Sequence, residues 1–324
     1  MQHNKLKNPK AVRDGALHSS SKASLRGFTK QSDTALKSHL ERLFLRFNRQ
    51  EFLSSDPIYF AHQYRAAQDQ ELVGFIAALF SYGSVPQIQS ALTNLLKPLG
   101  SNPAEMLRQY RGEPLWPGFC YRFHREGHII ALMSAISQAL REYGSIEALF
   151  TKEHISPSQQ SLELLLNQGV ERLHGYFESQ GLPTDLRRGL KFLISAPKDG
   201  SACKRLLMYH RWMVRKDHVD LGLWTSIRPA QLMIPLDTHV ARLTYYLGLR
   251  ESKENTPPLW KMVEEVTTSL RRISPEDPVK YDFALARMGI LGLCQKKFSP
   301  SICMQCDLVT VCRYSSFNEV LCRI

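Results

Sequence analysis

The sequence lacks any apolar run of about eighteen residues, the length that a membrane-spanning helix requires. Its longest apolar stretches are interrupted by glycine, serine or charged residues, so we expect no membrane span. It also lacks the apolar core of a secretory signal peptide. No segment shows the sustained alternation of apolar and polar residues that would indicate strands. These absences favour a non-secreted, all-α protein.

Acidic residues are scarce relative to basic ones. The chain has 30 Asp and Glu against 42 Lys and Arg, a net charge of +12, which favours a polyanionic partner without separating DNA from RNA or an anionic membrane. Residues 1–36 contribute +5 from seven basic and two acidic side chains, so the rest of the chain is basic by itself. This Ser-rich segment reads as a disordered basic arm, with an organellar targeting segment as the alternative.

Cysteine is nearly absent until the last stretch of the chain, which holds five of the seven. Four of them follow the pattern C-x8-C-x2-C-x5-C, namely Cys294, Cys303, Cys306 and Cys312. In such a pattern the inner pair binds one metal centre from a single turn, and both zinc and iron–sulfur fit. Cys322 is an alternative fourth ligand. Cysteines at metal spacing favour an intracellular reducing compartment over a disulfide framework.

Apolar residues recur three and four positions apart wherever a pattern can be read, which is typical of amphipathic helices. The pattern predicts helices over residues 72–79, 88–99, 129–140, 162–177 and 279–290. We expect the fourth to begin at Ser156-Pro157 and the fifth to be capped by Asp277-Pro278. The fifth helix then leads to Cys294. No internal repeat is found, and the predicted fold class is all-α.

Two short passages suggest a functional site. Between Ser195 and Leu206, Pro197 should end one helix, Gly200 permits a left-handed turn, and a second helix should start near Ala202. The unpaired N–H groups at such a helix start can bind a phosphate. In the second passage, Asp237 precedes apolar residues at helical spacing, which predicts a carboxylate at or beside a helix N-terminus.

Together with the cysteine loop, these passages resemble the helix-hairpin-helix DNA glycosylases, most closely the endonuclease III branch. That family carries, in order, L-P-G-V-G-x-K, then V-D-T-H-V-x-R, then C-x6-C-x2-C-x5-C around a four-iron four-sulfur cluster. The counterparts here are Gly200-Ser-Ala-Cys-Lys204, Leu236-Asp-Thr-His-Val-Ala-Arg242 and the cysteine loop, whose first gap is two residues longer. The resemblance covers about residues 56–315, and the flanking phrases are similar to a little-characterised bacterial branch.

The resemblance implies a catalytic pair. Lys204 would attack the sugar C1′ of a flipped nucleotide and form a Schiff base that allows strand cleavage by β-elimination. Asp237 would accept the lysine proton and stabilise the positive charge that develops on the sugar.

The resemblance also implies DNA contacts. Gly200 and Ala202 would contact a phosphate from the hairpin, and Lys296 and Lys297 would do so from the cysteine loop. Tyr82 would fill the gap left by the extruded base, with a packed aromatic residue as the equal alternative.

Helical spacing alone adds one further prediction. Arg211 and Arg215 lie seven and eleven residues after Lys204, so at about 100° per residue all three point within roughly 20° of one direction. We expect them to form one basic face that follows several phosphates of DNA.

The implied fold is the two-domain helix-hairpin-helix glycosylase fold. Residues 69–233 would form a helical barrel that ends in the hairpin, while residues 37–68 and 234–324 would form the second domain with the iron–sulfur loop, about 294–312. The catalytic pair would lie in the cleft between them.

The implied function is that of a monomeric, bifunctional glycosylase and abasic-site lyase that acts on damaged double-stranded DNA in base excision repair. Its place would be the bacterial cytoplasm, at the nucleoid. The hairpin departs from the family pattern, with an acidic Asp199 and with Ala202 in place of glycine. This departure favours 8-oxoguanine over oxidised pyrimidines as the substrate, by analogy. The alternative is a non-catalytic, zinc-stabilised nucleic-acid-binding protein.

Overall fold

The computed structural model describes residues 32–152, 159–295 and 299–313. The helices in these ranges are α1 Asp33–Phe47, α2 Tyr59–His62, α3 Ala67–Leu79, α4 Val85–Leu96, α5 Pro103–Gln109, α6 Glu126–Tyr143, α7 Ile146–Thr151, α8 Leu162–Ser179, α9 Thr184–Leu193, α10 Lys204–Val214, α11 Thr238–Tyr246, α12 Trp260–Ile273, α13 Asp282–Ile290 and α14 Pro300–Cys303. The strands there are β1 Cys120–Tyr121 and β2 His124–Arg125, paired antiparallel. The expected helical character of the protein is confirmed.

The helices pack in two sets. Helix α3 is apolar on every side from Leu72 to Leu79, and this part lies buried among neighbours that include α2, α4, α5, α7 and α10. Helix α6 packs against α5, α7, α8 and α9. In the second set, α1 packs against α12 and α13, and α11 packs against α13. The buried residues nonetheless form one continuous core from Leu36 to Val311. Helix α2, which the sequence-based division assigns to the second domain, packs on α3, and that division stays a prediction.

Most of the predicted helices are present, with differences at two starts. Helix α8 begins at Leu162, where the Ser161 side chain accepts a hydrogen bond from the Leu164 N–H; the expected start, Ser156-Pro157, lies outside the described residues. Helix α13 begins at Asp282, later than predicted. Its expected cap, Asp277, instead accepts a hydrogen bond from Arg215 Nε at 2.9 Å, so its carboxylate is occupied by a long-range ion pair.

The connection between α3 and α4 runs through residues 82–84, as predicted. Gly83 has a φ of 117°, and a Cβ there would approach the Tyr121 hydroxyl to 2.9 Å, so both the backbone and the packing require glycine. The same contact brings β1 close to this turn. Among the described helices, none combines the length and apolar character that a membrane crossing requires.

Candidate functional site

A cleft of about 660 Å³ opens where the start of α10, the start of α11 and the inner side of α13 meet. Lys204 and Asp237, which the sequence predicts as a pair, both line it. The other ionisable or aromatic groups of its wall include Asp56, Tyr82, Phe192, Arg205, Arg211 and Asp282. The volume is in the range that suits a small ligand, including one nucleobase with its sugar.

Lys204 is the first residue of α10, so this helix begins two residues later than expected. The delay arises because the turn before it holds two left-handed residues, Gly200 with a φ of 77° and Cys203 with a φ of 47°. The Cys203 thiol is buried and donates to the carbonyl oxygens of Ser195 and Ser201 at 3.2 and 3.3 Å. Burial raises its pKa to about 12, which agrees with a packing role and not with a nucleophile.

The hairpin turn is also tied to a distant segment. The backbone N–H of Trp260 donates to the Gly200 carbonyl at 3.1 Å, and Ser201 forms an isolated antiparallel β-bridge with Leu259. Gly200 is exposed, and a Cβ placed on it would meet no atom within 4 Å, so its outer side is open. Ala202 lines the cleft. Phosphate contacts by Gly200 and Ala202 stay a prediction.

Asp237 is the N-cap of α11, and one of its oxygens does all the capping. Its Oδ1 accepts hydrogen bonds from the N–H groups of His239 and Val240 at 2.8 and 2.7 Å. In the part of the chain that the structure describes, its other oxygen, Oδ2, accepts none. The carboxylate is therefore anchored by one oxygen and has the second available at the cleft.

Asp282 is a third ionisable group at this site, and the sequence analysis did not identify it. It is buried at the start of α13, where the Arg211 guanidinium donates to it. Burial raises its pKa, the Arg211 charge lowers it, and weaker effects come from the charges of Asp237 and Lys204. Its pKa thus depends on both members of the predicted pair. The sequence signal was an acidic residue between two aromatic residues, Tyr281-Asp282-Phe283. The helical pattern of this segment explains the aromatic residue Phe283 and gives no reason to single out the acid.

Arg211 and Arg215 do not form a DNA-binding face, and that prediction is wrong. The two share one side of α10 as the spacing predicts, but their exposed fractions are only 2% and 5%. Arg211 pairs with Asp220 at 3.1 Å and with Asp282, and Arg215 pairs with Asp220. Helical spacing identifies which side chains share a face but not whether that face is exposed, and here α10 is covered nearly all round.

These arginines belong to a buried ion-pair network beneath the cleft. Arg215 also pairs with Asp217 and Asp277 at 2.8 and 2.9 Å. From α13, Arg287 donates to Ser55 Oγ at 2.7 Å and to Asp56. The network joins α10, α13, the loop after α10 and the segment before α2, so it fixes the elements that line the cleft.

Tyr82 lines the cleft as a half-buried ring. Its hydroxyl lies 2.5 Å from His124 Nδ1, and its carbonyl accepts a hydrogen bond from the Tyr121 hydroxyl. Burial raises the pKa of Tyr82 far above its ordinary value. Arg205 stacks on the ring at 5.4 Å. These contacts favour the alternative of a packed aromatic residue over a protruding wedge.

The four cysteines of the C-terminal loop, Cys294, Cys303, Cys306 and Cys312, are half-buried, and Cys294 is close enough to the other three for their charges to act on it. Burial and the charges of Cys312, Cys306 and Cys303 raise the pKa of Cys294 to about 12. The N–H groups of Ser299 and Leu308 each donate to a sulfur, that of Cys303 and that of Cys306, at 3.4 Å.

Four thiols with backbone donors to two of them fit a thiolate-ligated centre, either zinc or iron–sulfur. Within the described ranges, no three or more such side chains are already arranged around a single ion. Lys296, Lys297 and Cys322 lie outside the described residues, as do residues 1–31 of the basic arm.

A family model described as "Protein of unknown function (DUF2400)" matches residues 56–291, well over half of the chain. The match includes the whole wall of the cleft apart from Ser55 and ends before Cys294. No curated protein and no solved structure matches the chain.

The ion-pair network predicts that Arg215→Met lowers the free energy of unfolding by about 3–5 kcal/mol, because Asp217 and Asp277 lose this partner and the buried Asp220 keeps only Arg211. At pH 5 the loss should be smaller, because burial raises the pKa of Asp220 to about 6 and this group then takes up a proton. Urea unfolding at pH 7.5 and pH 5 measures both effects.

The control for this variant is Arg46→Met, which breaks a half-exposed pair with Asp307 and should cost at most about 1 kcal/mol. Equal losses in the two variants would contradict the role given to the network.

Proposed function

Since the chain belongs to the DUF2400 family, whose function is unknown, we propose its activity from the cleft: it is a bifunctional DNA glycosylase and abasic-site lyase. The observation that carries this proposal is the meeting of Lys204 and Asp237 in one cleft of nucleobase size, each at the first turn of a helix. The two residues come from motifs that resemble those of the helix-hairpin-helix glycosylases. The two-domain glycosylase fold is part of the same proposal.

The proposed reaction begins with a damaged nucleotide rotated out of the duplex into the cleft. The Lys204 amine forms a bond to C1′ as the bond from C1′ to the base breaks, and the departing base takes the electron pair. Asp237 accepts the proton that the amine loses and stabilises the positive charge on the sugar before the new bond is complete. Ring opening, in which O4′ leaves C1′ and takes up a proton, then yields a Schiff base. Loss of a proton from C2′ forms a double bond between C2′ and C3′ as the bond from C3′ to its oxygen breaks, and the phosphate leaves with that oxygen.

The anchoring of Asp237 supports its role. Because Oδ1 is held by two N–H groups of α11, the carboxylate is fixed in the wall of the cleft, and Oδ2 is left to accept the proton. The two helix-start positions also give both reacting groups a rigid backbone, and catalysis gains most from groups whose positions are fixed in advance.

We propose that Cys294, Cys303, Cys306 and Cys312 hold a four-iron four-sulfur cluster, with zinc as the alternative. The cluster would supply structural support and no redox step. Contacts beside the cysteines hold the loop against α1 and so support a role of the cluster in positioning the loop. The Asp307 side chain pairs with Arg46 at 2.8 Å, and the Asp307 carbonyl lies 2.7 Å from His39 Nδ1. A loop fixed in this way can present its own side chains to DNA.

The proposed substrate is an oxidised base in double-stranded DNA, and we favour 8-oxoguanine over oxidised pyrimidines. This order rests on the unusual hairpin, in which Asp199 is exposed and Lys198 pairs with Glu171 at 2.9 Å. We also propose that the protein acts as a monomer at the nucleoid, in the cytoplasm of a bacterium.

Borohydride trapping tests the covalent step. Wild-type protein incubated with abasic or 8-oxoguanine duplexes and borohydride should form a DNA adduct, and Lys204→Gln should form none. Asp237→Asn should form the adduct at least about 100-fold more slowly, because the variant loses general base catalysis, which typically contributes a factor of this size to the rate.

Lys198→Gln serves as the matched control, because this exposed lysine lies in the same turn and should trap normally. If no lesion yields an adduct with wild-type protein, the enzyme proposal is wrong and a non-catalytic DNA-binding protein takes its place.

Asp282 predicts a change in pH dependence. Burial raises the pKa of the Asp282 carboxyl, so it takes up a proton at a higher pH than an exposed aspartate does, and the cleft wall then loses a negative charge. Asp282→Asn removes this titration, so the acidic limb of the cleavage rate should move to lower pH. Single-turnover cleavage between about pH 5 and 9 measures this.

The control is Asp220→Asn, which also removes a carboxylate partner of Arg211. It should lower stability and leave the acidic limb in place. An identical shift in the two variants would mean that Asp282 acts only through folding.

The proposed cluster predicts that protein purified without oxygen is brown and contains iron and sulfide. Cys306→Ser should lose the colour and the iron, because one thiolate ligand is removed. Cys120→Ser is the control, since this exposed cysteine lies far along the chain from the loop. Colourless protein that contains one zinc ion per chain would contradict the cluster proposal and support zinc in its place.

A further inference from the structure

Two phenyl rings stand exposed at the rim of the cleft. Phe123 and Phe192 are each 46% exposed, and their ring centroids lie 4.7 Å apart in an edge-to-face arrangement. Phe192 lines the cleft, and Phe123 stacks on Tyr82 at 5.9 Å. The rings therefore continue the aromatic wall of the cleft onto the surface, where they contact solvent instead of the core.

These rings are held in place by the elements beneath them. Phe123 lies in the turn between β1 and β2, beside Arg122, whose φ of 53° closes that turn. Phe192 is near the end of α9. The His124 side chain joins the two elements, because its Nε2 lies 3.0 Å from the Gly189 carbonyl while its Nδ1 meets the Tyr82 hydroxyl.

The close approach of α6 and α9, which lie beneath the rings, requires glycine at position 189. A Cβ there would come within 2.4 Å of His128 Nε2. The exposed pair is thus supported by a packed layer and loses little conformational freedom when it binds a partner.

The charge around the rings is positive. Arg122, Arg125 and Arg188 are exposed, and within the described ranges none of them forms an ion pair. Arg188 lies one helical turn before Phe192, so it shares that side of α9. Beneath the surface, Arg205 stacks on the Phe192 ring at 4.6 Å and donates to the Phe192 carbonyl.

We propose that this platform, made of Phe123, Phe192, Arg122, Arg125 and Arg188, binds unpaired nucleobases of DNA next to the cleft. Unpaired nucleotides offer flat base faces for the phenyl rings and backbone phosphates for the guanidinium groups, which matches the composition of the platform. Bases inside a duplex present only their edges, so the two ring faces have no partner there. The assignment to DNA rests on the proposed function; the stacking role rests on the geometry.

The inference names the class of substrate: lesions in DNA whose strand is already partly unpaired, such as bubbles, bulges and single strands. The rings would stack on bases that flank the reacting nucleotide. Extrusion into the cleft would then need less unstacking than in an intact duplex.

The test measures binding in the Lys204→Gln full-length protein, so that no chemistry takes place. Fluorescence anisotropy compares a labelled single strand, the same strand in a duplex, and that duplex with a central unpaired bubble. Phe123→Leu and Phe192→Leu remove the rings and keep an apolar side chain. Each should weaken binding of the single strand and the bubble about 5- to 100-fold and change duplex binding less than about twofold.

Leu45→Ala is the control for loss of an exposed apolar side chain, since Leu45 is 66% exposed on α1 and should bind all three DNAs normally. Unchanged single-strand affinity in both phenylalanine variants, with wild-type thermal unfolding, overturns the proposal. An equal loss on the duplex also overturns it, as does tighter binding of an RNA of the same sequence.

The DNA-binding test of the platform and the borohydride test of the glycosylase can fail independently. Ring-dependent binding without a borohydride adduct in the wild-type protein supports the platform and rejects the glycosylase. An adduct without ring-dependent binding supports the glycosylase and rejects the platform.

Discussion

The buried ion-pair network between α10 and α13 is the interaction on which the cleft depends. Asp220 binds both Arg211 and Arg215, and Arg211 then binds Asp282 at the start of α13. Buried charges of this kind are weak contributors to net stability, but a single missing partner is strongly unfavourable. The network therefore acts as a constraint on geometry: α10 and α13 can approach in only one register.

That constraint determines where the two groups of the proposed catalytic pair lie. Lys204 is the first residue of a helix whose later residues are almost all buried, so its backbone cannot shift without moving the core. Asp237 is fixed separately, by capping α11, and α11 packs against α13. Two carboxylates and one amine thus meet at the cleft from three helices, and one element, α13, contacts both the network and α11.

The helices could be predicted from the sequence because apolar periodicity is a local signal. The meeting of Lys204 with Asp237 in one cleft could be expected only from the resemblance of their motifs to a known family, because no local pattern shows which helix starts come together. Arg211 and Arg215 show the limit of this reasoning, since periodicity says nothing about what covers a face. Phe123 and Phe192 show another limit: they meet only because His124 and Gly189 bring a strand pair and a distant helix together.

The left-handed Cys203 before Lys204 has a consequence for how the lysine can work. A side chain in this backbone conformation is unfavourable by about 1–2 kcal/mol, so the turn persists only because the surrounding contacts hold it. The thiol bonds to Ser195 and Ser201 and the link from Trp260 to Gly200 are such contacts. The amine is then carried by four methylene groups on an immobile Cα, so in the proposed reaction the nitrogen would follow the sugar through ring opening and elimination while the protein backbone stays in place.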